Sequence, residues 1–349
     1  MHSQIEVQPY FPASARLRRL SESRQGPALL FTLCLSLALS ACTVFTPPVA
    51  VQPAFGPLPR VGYSGMAQIG PDDYLVVHDT KAGKSDPRLG IIRFKQDESL
   101  EYAPLIVDNW VHPQGPANDL ESACALPGRP GELLIAESGY QKGLYGRIFH
   151  LDIRGTTIRI LSVLPLPHLS DSGKSRERDN YEGLACAARN DGKILLILGE
   201  RGGSSRYPNG VLRWGVFDPV HGSIDWPAAG KAGRMAIAPG PWTNRPSKRD
   251  IADLYLDGQG NLWAAASEDA GDEGPFRSII YRAATVQADT VNPIQLSKTQ
   301  RPSWVMDGLK VEALAGPPDS VSSAFLSFAT EDEQLGGIWR PLYPPFKSK

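Results

Sequence analysis

Five residues recur at one place in a repeated pattern: Ser64, Glu121, Glu182, Asp253 and Glu312 open short apolar runs at successive spacings of 57, 61, 71 and 59 residues. A second acidic set follows them by 15 to 19 residues, where very apolar runs end on Asp79, Glu137, Glu200, Glu268 and Glu331. Carboxylates held in register around one centre repel each other, so they must either keep protons or share a cation. An all-oxygen donor set in a roomy ring suits Ca²⁺ and disfavours zinc. The spacing therefore predicts a central calcium ion held by Ser64, Glu121, Glu182, Asp253 and Glu312. The same residues have one other use, which is to bond the backbones of neighbouring segments with no ion between them.

Basic residues surround both sets. Lys174-Ser175-Arg176-Glu177-Arg178 precedes Glu182, Arg245-Pro246-Ser247-Lys248-Arg249 precedes Asp253, and Arg201 follows Glu200 directly. A divalent ion beside guanidinium groups makes a site for a phosphate ester, with the ion as Lewis acid and a carboxylate orienting water. On this reading Glu200, Glu137 and Glu268 are the catalytic acids, and Arg201, Arg178, Lys248 and Arg249 bind the small phosphorylated ligand. His78, His112, His150, His168 and His221 lack the spacing of metal ligands. Gly199-Glu200-Arg201-Gly202-Gly203 precedes no helical pattern, so it reads as a turn and not as a phosphate-binding helix terminus.

The elements that must carry these residues are short strands. Each repeat has an apolar strand opened by the ring residue, a second strand ending in the acid, and a third after a Gly-containing loop. The 34 Gly and 31 Pro fit many tight turns, and helical periodicity is missing beyond the first forty residues. Leu133-Leu134-Ile135-Ala136 is apolar on both faces and has no helix to cover it, which radial stacking of small sheets resolves. We therefore expect an all-β, five-bladed β-propeller over residues 61–349, with six blades as the alternative if one hides around Val216 to Pro239. The fifth repeat ends near Leu342, so the stretch from Ala50 to Arg60 is expected to supply a fourth strand to the last blade and close the ring.

The ring set, with Glu121-Ser122-Ala123-Cys124 and Tyr181-Glu182-Gly183, resembles the calcium-activated nucleotidase (apyrase) family, five-bladed propellers with a Ser/Glu ring around Ca²⁺. Glu182-Gly183-Leu184-Ala185, followed by a strand ending in Glu200-Arg201, is also similar to the esterase-like phytase and SdiA-regulated propellers. The resemblance implies a calcium-centred propeller and a hydrolase of phosphate or related esters. Asp253 departs from the Ser/Glu usage of the apyrase ring. The second functional reading is a non-catalytic, calcium-stabilised propeller that binds a ligand or protein.

The first 41 residues have the layout of a secretory signal: Arg16, Arg18, Arg19 and Arg24, an apolar run from Ala28 to Leu39, then Leu39-Ser40-Ala41-Cys42. The last four residues resemble a bacterial lipobox, which implies acylation of Cys42 and a lipid anchor to a membrane. Thr43 in place of an acid implies the outer membrane, facing the periplasm. Residues 42–60 are Pro-rich and read as a stiff tether. Beyond residue 41 the chain has 32 Lys and Arg against 35 Asp and Glu, no footprint for nucleic acid. Cys124 and Cys186 read as two buried, small apolar side chains, with a bridge between them as the alternative.

Overall fold

The computed structural model of the chain describes residues 55–59, 61–81, 84–107, 109–110, 113, 115–139, 146–155, 157–167, 179–271, 274–332 and 336–345. The signal segment, Cys42 and Arg178 lie outside the described residues. A compact unit runs from Ala50 to Lys349. Among the described residues no helix is long and apolar enough to cross a membrane.

Five antiparallel sheets follow one another along the chain. Blade 1 is β1 (Gly65–Gln68), β2 (Asp73–Val77), β3 (Leu89–Phe94) and β4 (Leu100–Leu105). Blade 2 is β5 (Leu120–Ala125), β6 (Glu132–Glu137), β7 (Arg147–Arg154) and β8 (Thr157–Pro165). Blade 3 is β9 (Tyr181–Ala188), β10 (Ile194–Glu200) and β11 (Gly210–Asp218), flanked by β12 (Ser223–Asp225) and β13 (Arg234–Ala236). Blade 4 is β14 (Lys248–Leu256), β15 (Asn261–Glu268) and β16 (Arg277–Val286), flanked by β17 (Ile294–Leu296) and β18 (Pro302–Asp307). Among the described residues blade 5 consists of β19 (Val311–Ala315), β20 (Leu326–Thr330) and β21 (Trp339–Leu342).

The ring closes because each middle strand feeds two different cores. In β6, Leu133 and Ile135 enter a cluster with Leu75 and Val77 of blade 1, while Leu134 and Ala136 enter one with Leu196 and Leu198 of blade 3. Successive side chains of a strand point to opposite faces, so an unbroken aliphatic run supplies both interfaces. The other junctions repeat this, down to Met66 and Tyr74 of blade 1 packing with Ala313 and Trp339 of blade 5. Leu133, Leu134 and Ile135 are at most 1% exposed, so each contributes about 1.5–3 kcal/mol of burial.

Three expectations need correction. No sixth blade lies between Val216 and Pro239, because β12 and β13, joined through helix α1 (Ala228–Ala232), both pair with β11 as a divided outer strand. The segment before β1 does not enlarge blade 5: among its described residues Gly56 bridges Tyr102 of β4, on blade 1. Its later part spans the junction, with Tyr63 N–H donating to Thr330 O at 3.1 Å and Gly337 N–H to Val61 O at 2.9 Å. The free edge of β21 carries Pro341, which has no N–H to offer a further strand, and Pro344 and Pro345 follow it. Finally, Cys124 and Cys186 are bridged, their Cα atoms 5.9 Å apart, joining the innermost strands of blades 2 and 3.

Candidate functional site

The five ring positions divide by strand register. In blade 2, Leu120 pairs with Glu137 and Ser122 with Ala136, leaving Glu121 as one extra residue. In blade 3, Tyr181 pairs with Glu200 and Gly183 with Gly199, and in blade 5 Val311 pairs with Thr330 and Ala313 with Ala329. Glu182 and Glu312 are therefore extra residues too, and a β-bulge of this kind turns its unpaired side chain out of the ladder. The wording around each is alike, an apolar residue, Glu, then Ser, Gly or Ala. A small third residue is needed because the inner strands press together: a Cβ on Gly183 would stand 2.6 Å from Leu254 Cγ.

Asp253 and Ser64 behave differently. Asp253 is itself paired, opposite Ala265, directly after an irregularity that sets Asp250, Ile251 and Ala252 against Ala266 alone, and its Oδ2 accepts the Leu314 N–H at 2.6 Å, tying β14 to β19. Ser64 donates to Glu331 Oε1 at 2.8 Å.

Cations meet the bulged glutamates from neighbouring elements. Arg201 Nη1 donates to Glu182 Oε1 at 3.2 Å, and Lys310 Nζ lies 3.1 Å from Glu312 Oε1 and 2.9 Å from Glu331 Oε2. Lys81 donates to Asp79 Oδ2 at 2.7 Å and also bonds Asp119. Carboxylate oxygens of Asp79, Asp119 and Glu121 lie within 4.8 Å of one another. Arg249 stands near Arg201, Glu182 and Glu312, and burial followed by the Arg201 charge lowers its pKa.

This crowding drives protonation states apart. Burial, then the charges of Glu182 and Asp119, pushes Glu121 well above the usual carboxylate range. Burial and Glu331 do the same to Glu312 against the pull of Lys310. For Glu331 burial acts upward, yet the hydrogen bond from Glu312 and the Lys310 ammonium outweigh it and hold the pKa at about 2. The two pKa values are thus driven apart, Glu312 upward and Glu331 downward. Burial also raises Glu182, while Arg201 and Lys310 temper the rise.

The acids expected to be catalytic bind backbone instead. Glu137 accepts the Asn118 N–H at 2.8 Å and Arg147 Nε at 2.9 Å. Glu200 accepts the Asn180 N–H at 2.6 Å, and Glu268 accepts Thr243 Oγ1 at 2.7 Å and the Asn244 N–H at 2.8 Å. In each of these blades the acceptor ends the second strand and a backbone donor belongs to the loop entering the first, with Arg147 of the third strand added in blade 2. Of the expected substrate-binding residues, Arg201 bonds the ring, Arg249 lies nearby, and Lys248 Nζ instead bonds buried Asp250 at 2.7 Å. Lys81, Lys310 and Asp119 were not singled out by the sequence reading, although each stands two residues from an acid of the two sets.

The five residues expected to hold calcium meet unequal partners. Ser64 bonds Glu331 and Asp253 Oδ2 bonds the Leu314 backbone, while Arg201 and Lys310 bring positive charge to Glu182 and Glu312; Asp253 Oδ1 and Glu312 Oε2 are buried without a hydrogen-bond partner. A divalent ion at the axis would draw on Glu121, Glu182, Glu312 and Asp253 Oδ1, in competition with those cations.

No protein family and no curated protein matches the sequence. Among solved structures the chain is similar to an exo-β-1,3-galactanase from Clostridium thermocellum, with 13% identity and a TM-score of 0.44 over 79% of this chain and 58% of that one. The chain therefore spans less than two thirds of that galactanase. It is similar as well to an α-L-arabinanase from Penicillium chrysogenum, solved with arabinobiose, with 14% identity and a TM-score of 0.41 over 84% of this chain and 85% of that one. An endo-arabinase from Bacteroides thetaiotaomicron gives 11% identity and a TM-score of 0.40 over 83% of this chain and 96% of that one.

Proposed function

We propose that the protein is a hydrolase whose active site is the axial acid–cation cluster, and that it cleaves neutral, polyhydroxylated substrates of the glycoside class. The observation that carries this reading is the convergence of three bulged glutamates, Glu121, Glu182 and Glu312, with burial pushing the Glu312 pKa up while Lys310 and hydrogen bonds hold that of Glu331 down. Carboxyls whose environments push their pKa values apart are the raw material of acid–base catalysis. Glu312 gives its proton to the leaving oxygen as the carbon–oxygen bond breaks. A water oxygen bonds to that carbon and loses its proton to Glu182, which Arg201 balances.

Charge argues for a neutral substrate. Asp79, Asp119, Glu121, Glu182, Glu312 and Glu331 outnumber Lys81, Arg201, Arg249 and Lys310, so a phosphate would add negative charge where carboxyls already retain protons. The signal layout, Leu39-Ser40-Ala41-Cys42 and the Pro-rich stretch support a lipid-anchored enzyme of the outer membrane, facing the periplasm.

The test is a screen of the mature protein against nitrophenyl glycosides, phosphates and carboxylic esters, each with chelator and with calcium. We expect glycoside turnover that survives chelation and falls at least 100-fold in Glu312→Gln. Phosphate-ester turnover that appears only with calcium would overturn this reading in favour of a metal-dependent phosphoesterase. No turnover of any class would favour the ligand-binding propeller.

A further inference from the structure

The axis has a second feature at the end opposite the acids. All five innermost strands run away from the ring positions, and one to six residues further on they wall a cavity of about 270 Å³. Met66, Leu184 and Leu314 give it an aliphatic lining, and the Cys124–Cys186 disulfide joins two of its staves. None of these groups takes part in the acid cluster.

Two polar groups break the apolar wall. Gln68 Nε2 donates to Pro71 O at 3.0 Å and to Pro317 O at 3.1 Å, which uses both its hydrogens and fixes the amide with Oε1 turned toward Gly316. The Tyr255 hydroxyl lies 3.2 Å from where a Cβ on Gly316 would stand, and a Cβ there would collide with Gln68 Oε1. Gly316 thus leaves room beside an acceptor and a donor. Burial keeps the Tyr255 hydroxyl protonated, with its pKa at about 12.

We propose that this cavity is a second binding site, for a small neutral molecule with an apolar body and one hydroxyl or amide head. The body fills the aliphatic well, and the head bonds Gln68 Oε1 and the Tyr255 hydroxyl. A dry cavity of roughly 150 Å³ already holds benzene, so this volume admits a benzyl alcohol with room to spare. The few placed polar groups in a mostly apolar well match the general build of small-molecule sites.

Benzyl alcohol is the probe, titrated into the mature protein by calorimetry while the Met66 methyl resonance is followed, with toluene as the headless control. We expect saturable binding and a shift of the Met66 methyl. Ala125→Leu, which narrows the well at a partly exposed wall position, should weaken both ligands at least tenfold. Tyr255→Phe should weaken benzyl alcohol about fivefold, the scale of one hydrogen bond, and leave toluene unchanged. Heat without a Met66 shift, or binding indifferent to Ala125→Leu, would place the ligand elsewhere and overturn the proposal. Equal loss of both ligands in Tyr255→Phe would overturn the polar head.

Discussion

The acids that end β6, β10 and β15 and the glutamates that open β5, β9 and β19 occupy neighbouring strands of the same hairpin type, yet their carboxylates meet different partners. Glu137, Glu200 and Glu268 find backbone N–H groups of the entry loops and become fasteners within a blade. Glu121, Glu182 and Glu312 are ejected by a bulge, find no such donors, and face each other with Lys and Arg as their counter-charges. Asp253 shows that being the unpaired residue matters more than the repeat position: its strand is irregular just before it, but Asp253 itself is paired with Ala265 and its Oδ2 ends on a backbone N–H. A carboxylate with backbone donors within reach serves the fold, and one without them is available for chemistry.

The largest effect should come from removing a fastener. Glu137 is fully buried against Arg147, so Glu137→Ala takes away the carboxylate facing a buried guanidinium and the acceptor of the Asn118 N–H. We expect a loss of about 3–5 kcal/mol in chemical denaturation. A loss below about 1 kcal/mol would break the distinction between fasteners and axial acids.

Replacing Cys124 and Cys186 by Ala sharpens the other side of the comparison. The bridge lies three residues beyond Glu121 and four beyond Glu182, on the same two strands, so it ties together the carriers of two axial glutamates. Its loss should reduce stability by about 2–4 kcal/mol, read from the denaturation midpoint. Unchanged stability would mean that the inner strands are held by packing alone.

What the sequence made legible follows from where information is local. Leu133 to Ala136 announced a strand buried on both faces, and the five equivalent positions announced the blades. The bulges were not legible, because Leu120-Glu121-Ser122 and Ala252-Asp253-Leu254 look alike until each is paired with its partner strand. Pairing also decided the N-terminal segment, which had two candidate edges; Pro341 blunted one, and Gly56 met Tyr102 on the other. Lys81 and Lys310 were overlooked because the like-charge problem was read as calling for an ion or a proton, when ammonium groups from adjoining loops could answer it. The disulfide needed the approach of β5 and β9, which no spacing within either strand reveals.

The most discriminating effect concerns Glu200. It is a fastener like Glu137 but has no guanidinium against it comparable to Arg147, and burial lifts its pKa to about 8. Unfolded, the same group titrates near 4.3. Between these values the folded chain holds a proton that the unfolded chain has released, so stability must fall as pH rises from about 4 to about 8. Below that window both states are neutral at this position and the contribution is fully present; above it both are ionised and the contribution is lost. Glu200→Gln keeps an oxygen for the Asn180 N–H and cannot ionise. The variant should therefore match the wild type in melting temperature near pH 4 and exceed it increasingly as pH rises to 8. Parallel melting curves across that range would show that Glu200 is ionised in the folded chain at neutral pH. It would then belong with the charged axial group, and the line between the two sets of acids would have to be redrawn through blade 3.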